Sequence, residues 1–120
     1  MERFLPKLDV LPAAQQIVWM ELLDLVGTKV AVVQQRAEAK DYIDIDAILG
    51  EGQIDLTMAL AAAQHIYGSV FSPQNALKAL TYFDEPQMQI LPEALKQRLV
   101  KAVCAVDLDS LPKILETPAT

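Results

Sequence analysis

From Pro12 to Gln35 the chain reads "PAAQQIVWMELLDLVGTKVAVVQQ", with apolar residues recurring every three or four positions. Ile17, Val18, Leu22, Leu25 and Val26 keep helical spacing, and Val30 and Val33 resume it beyond Gly27. In a chain of 120 residues, a stretch this long and this regular dictates what the remainder must cover. Pro12 stands where a first helical turn tolerates a missing amide. Two readings fit. Either one helix runs continuously from about 12 to 35, with or without a kink near Gly27, or two helices meet near Asp24, whose side chain would cap the second. The continuous element is the preferred reading.

The punctuation downstream is helical as well. A second element over about Glu38 to Leu49 is closed by Gly50 and Gly52. "IDLTMALAAAQHIYG" opens with Asp55 as an N-cap and closes at Gly68, while "SPQNALKALTYF" has Ser72 as cap and Pro73 in the first turn. "LPEALKQRLVKAVCAVD" repeats this grammar from Pro92, and "LDSLPKILE" forms a last short turn. Four glycines and no Asn-Gly dipeptide are too little for a turn-rich β protein. The expectation is an all-α fold, a compact bundle of five to six helices forming one domain over 1–116, with a disordered tail at 117–120. Apolar residues make up 52% of the chain and aromatics only 6%, so the core should be aliphatic.

A net charge of −6 argues against broad contact with nucleic acid or with an anionic membrane. The longest uncharged apolar run, "LTMALAAA", is far too short to span a bilayer. "MERFLPKLDVLP" carries charges and prolines where a secretion signal needs an apolar run, and a single cysteine suits a reducing compartment. These features predict a cytoplasmic protein. Cys104, among apolar neighbours in "VKAVCAVDL", reads as a packed core thiol. His65 is the only histidine, which leaves no zinc site or Ser/His/Asp set within one chain. Its place near a helix C-terminus points to a structural role.

The chemistry-bearing segment is "QQRAEAKDYIDIDAILGEG", where Arg36, Lys40, Asp41, Asp44 and Asp46 crowd together. Asp41 and Asp44 share a helix face at i,i+3, and Asp46 points elsewhere. Two carboxylates could hold a Mg²⁺ that borrows phosphate oxygens. Equally, Lys40 and Asp44 form a ready i,i+4 pair within a structural ion-pair network. Both readings stand on the residues alone.

The stretch "LLDLVGTKVAVVQQRAEAKDYIDIDAIL" resembles the C-terminal part of the nucleotidyltransferase toxins of the abortive-infection AbiEii/AbiGii type. The matching positions are Lys29, Arg36, Lys40, Asp41 and Asp44, and the similarity extends from about Leu22 to Leu115 through "LKALTYFDE". "LPKLDVLPAAQQIVWMEL" resembles the opening helix of the same family. Between them the family places its catalytic core, whereas here "VWMEL" passes straight into "LDLVGTK". The resemblance therefore implies a truncated, non-catalytic helical module with no cofactor of its own. Loss of the core should bare an apolar face, which a second copy would cover about a twofold axis. Trp19, Met20, Leu22, Leu23 and Val26 are the expected interface, and a further protein partner is implied without being named. The alternative is an accessory half of a nucleotidyltransferase or nucleotide-binding site, completed by another chain and using Mg-nucleotide.

Overall fold

The computed structural model describes residues 13–112, and the tail expected at 117–120 lies outside them. Five α-helices follow one another: α1 (Ala13–Val33), α2 (Ala39–Gly50), α3 (Leu56–Tyr67), α4 (Pro73–Leu80) and α5 (Glu93–Cys104). Short 3-10 turns stand at Gly68–Val70, Pro86–Met88 and Leu108–Ser110. The described residues contain no strand, and the all-α expectation holds. No described helix is long and apolar enough to cross a membrane.

The first helix is continuous, so Asp24 caps nothing and the helix passes through Gly27. Its 21 residues span ~31 Å at ~1.5 Å per residue. It packs chiefly on α3 and also touches α2 and α4, while α5 covers the α2 and α4 side. The α1–α3 approach is set by small residues. A Cβ added at Gly27 would lie 3.0 Å from Ala62 Cβ, 3.1 Å from the Ala63 nitrogen and 3.2 Å from the Ala62 carbonyl carbon. The glycine is therefore a point of backbone approach.

The local signals act as their chemistry dictates. Asp55 caps α3 by accepting from the Met58 amide at 2.9 Å, and Gly68 ends it at a φ of 62°. Ser72 caps α4 by accepting from the Asn75 amide at 3.3 Å. That helix stops at Leu80, short of the Tyr82-Phe83 that the sequence pattern included. The Thr81 hydroxyl donates to the carbonyls of Leu77 and Lys78, closing the last turn. Gln34, just past α1, accepts from the Ser72 amide at 3.2 Å and ties the start of α4 to the end of α1.

The core is aliphatic, as composition implied, with Leu23, Val26, Val30, Ile45, Ile54, Leu60, Leu80 and Leu99 all buried around the fully buried ring of Tyr42. Two expectations need correction. Cys104 is exposed, not packed. The inward stripe of α5 runs through Leu95 and Leu99, and Cys104 falls about 140° from Leu99 around the helix. Of the expected interface residues, Trp19, Leu23 and Val26 are buried in the chain's own core, and Met20 and Leu22 pack half-buried against it. The apolar residues that α1 turns outward are Ile17, Val18 and Leu25.

Gly27→Ala gains about 1 kcal/mol of helix propensity but must force two backbones apart, an overpacking cost of about 1–3 kcal/mol. The net expectation is a lower thermal midpoint. Gly50 closes α2 with nothing within 4 Å of an added Cβ, so Gly50→Ala should leave the midpoint unchanged or raise it. Thermal unfolding of the two variants side by side checks both.

Candidate functional site

The charged segment resolves into three separate ion-pair groups. Lys29, on α1, reaches across to α2 and sits between two carboxylates, 3.2 Å from Asp41 Oδ1 and 3.0 Å from Asp44 Oδ2. Asp41 is only 5% exposed, and its Oδ2 has no hydrogen-bond partner among the described residues. Desolvation would penalise such a carboxylate heavily were the ammonium not beside it. The pairing in turn raises the Lys29 pKa above its ordinary 10.5, chiefly through the hydrogen bond to Asp44, with partial burial opposing.

The second group is exposed. Arg36 approaches Glu38 at 3.3 Å, and Lys40 approaches the same carboxylate at 3.7 Å with its side chain 74% exposed. The expected Lys40–Asp44 pair is thus replaced. Side chains lean toward the N-terminus of their helix, which aims Lys40 back at Glu38, and a cation four residues before an anion is the weaker order. Lys29, arriving from another helix, takes Asp44 instead. Glu38 occupies the N-cap position of α2 without capping by its side chain, being engaged by these cations.

The third group was invisible from the motif. Asp46 turns to the opposite side and holds Arg98 of α5 through two bonds, 2.9 Å from Nε and 2.8 Å from Nη2. Such fork-to-fork geometry fixes orientation as well as distance. Asp44 and Asp46, two residues apart, therefore serve different helices and cannot converge on one ion. Among the described residues, no three His, Cys, Asp or Glu side chains come together as a metal site. Asp41 and Asp44 do converge, but the Lys29 ammonium fills the place a cation would take. The set does not fit a metal-bound triphosphate.

Beside this cluster Tyr42 is fully buried, donates to the Ala79 carbonyl at 2.7 Å and meets Phe83 edge-on at 6.3 Å. Burial, with smaller effects from Glu85 and Asp41, pushes its hydroxyl up to about 12. A cavity of about 80 Å³ lies by Ala31, Gln34 and Phe71, and a wider groove of about 360 Å³ lies by Phe83 and Val100. Neither is lined by Lys29, Arg36, Lys40, Asp41 or Asp44. His65 lies exposed in the last turn of α3.

The chain matches no known protein family, no curated protein and no solved structure.

Lys29→Met strands Asp41 in a nearly dry site and should cost about 2–3 kcal/mol, below the full cost of a wholly buried pair. Adding Asp41→Leu should recover part of the loss. Lys40→Ala, at an exposed pair, should change stability by less than about 0.5 kcal/mol. Denaturant titration of the four proteins measures this order.

Stability should also fall as alkali is added. Tyr42 and Lys29 both keep their protons to higher pH in the folded chain than in the unfolded one. The Tyr42 contribution is thus whole below about pH 10 and lost as pH rises through about 12, and that of Lys29 is lost as pH rises through its own raised pKa. Denaturation midpoints across this window should drop in the parent and drop less steeply in Tyr42→Phe.

Proposed function

We propose that this chain is a non-catalytic helical module, a truncated relative of the AbiEii-type nucleotidyltransferase toxins, that self-associates and docks a protein partner. The observation that carries this reading is the position of Lys29. Its ammonium neutralises Asp41 and Asp44 together, so these three of the five residues that match the family's motif are occupied in joining α1 to α2. Nucleotidyl transfer needs carboxylates free to hold divalent metal across a triphosphate. Self-association is supported by α1, which carries apolar side chains on its outward side as well as its core side. A helix apolar on both sides commonly has a second surface to meet.

One observation favours a second reading. Arg36 and Lys40 are exposed and meet only the single carboxylate of Glu38 among the described residues. Two such cations can meet the phosphates of a nucleotide whose remaining contacts come from another chain.

Thermal unfolding with each Mg²⁺-nucleoside triphosphate separates the two, because a ligand of the folded state alone raises the midpoint above its dissociation constant. The module reading expects no shift in the parent and a lowered midpoint in Asp41→Ala without nucleotide. A shift abolished by Lys40→Ala establishes the nucleotide site instead.

A further inference from the structure

Two apolar surfaces face away from the core, and they carry opposite charge. The first is the outward side of α1. Ile17, Val18 and Leu25 are 61%, 62% and 47% exposed, and they fall with Glu21 within ~100° of arc. Asp24 borders the same stripe, and both carboxylates are exposed. The second is the groove of about 360 Å³ between Phe83, beyond the end of α4, and one side of α5. Val100 and Phe83 form its apolar floor, and Lys96 and Lys101 stand along it.

These lysines differ from the cations described above. Lys29, Arg36, Lys40 and Arg98 each lie within 4.0 Å of a carboxylate. Lys96 and Lys101 have no such partner among the described residues, and the Lys96 ammonium instead rests 5.7 Å from the Phe83 ring centre. An acidic chain thus keeps two unneutralised ammoniums beside an open apolar groove.

We infer that the outward stripe of α1 from one copy seats in the groove between Phe83 and α5 of another, an inference that rests on the self-association reading. Ile17, Val18 and Leu25 would cover Phe83 and Val100, and Glu21 and Asp24 would come to Lys96 and Lys101. Charge decides this against the simpler pairing of two α1 stripes. That pairing sets Glu21 and Asp24 beside the same carboxylates of the other copy, in a protein already at −6, and like charges facing one another across an interface are costly. Seating in the groove reverses the sign. Glu93, at the start of α5, also lines the groove, so the lysine end is the one that receives the carboxylates. The contact joins different surfaces of the two copies. It closes as a pair where each copy both gives and receives α1, and otherwise extends head to tail.

Sedimentation of the full chain at micromolar concentration tests this with paired charge reversals. The parent should associate, more weakly at high salt. Glu21→Lys/Asp24→Lys and Lys96→Glu/Lys101→Glu should each sediment as monomers while retaining a cooperative melt. Their equimolar mixture should associate again, since each supplies the sign that the other lacks. If either reversal impairs folding, the milder Glu21→Gln and Lys101→Gln should each weaken association by about tenfold. A parent that associates while the lysine reversals or Lys101→Gln leave it unchanged overturns the groove and spares self-association. A monomeric parent overturns both.

Discussion

The packing of this protein turns on the contact of α1 with α3 at Gly27. A side chain there would meet Ala62 and the backbone at Ala63 within 3.2 Å, so the two helices lie against each other with almost nothing between them. Everything else is placed by that contact. It brings the buried Ala59–Ala63 segment of α3 against α1 and leaves Leu23, Val26 and Val30 to fill the adjoining core. Gln34, carried on the end of α1, then holds the start of α4. Because the seam is made of backbone and β-carbons, it loses little side-chain freedom on forming, yet it has little slack for added volume.

Charge does a different job. The apolar seam brings helices together without fixing their rotation strongly, and the ion pairs supply direction. Lys29 binds α2 to α1 through two carboxylates one turn apart. Asp46, on another side of the same helix, takes Arg98 from α5. One helix is therefore clamped from two directions by residues that the sequence places within six positions. What reads as an over-rich acidic run is a division of labour between two neighbours.

Much of the architecture was legible in the sequence because its signals are local. Asp55, Ser72 and Gly68 act within one turn of themselves, and the physics that selects them needs no knowledge of the rest of the fold. The unbroken apolar period of α1 likewise outweighed Gly27, which reads as an interruption by propensity but is a contact by packing. The charged cluster was only partly legible. Asp41 and Asp44 could be put on one face from their spacing, but their partner lies 12 residues back for Asp41, on another helix, and that of Asp46 lies 52 residues on. No periodicity encodes such pairs. Cys104 failed for a related reason: apolar neighbours in sequence are not neighbours in space, and its own angular position on α5 turns it outward.

Phe83 has two dependants. One edge meets Tyr42, whose hydroxyl is sealed in the core, and its face carries the Lys96 ammonium at the open groove. The groove and the interior consequently share a wall one ring thick. Anything that settles on the outer side against Phe83 rests on the ring that also packs against Tyr42. A surface cleft and a core side chain thus share one aromatic neighbour, and a substitution of Phe83 reaches both.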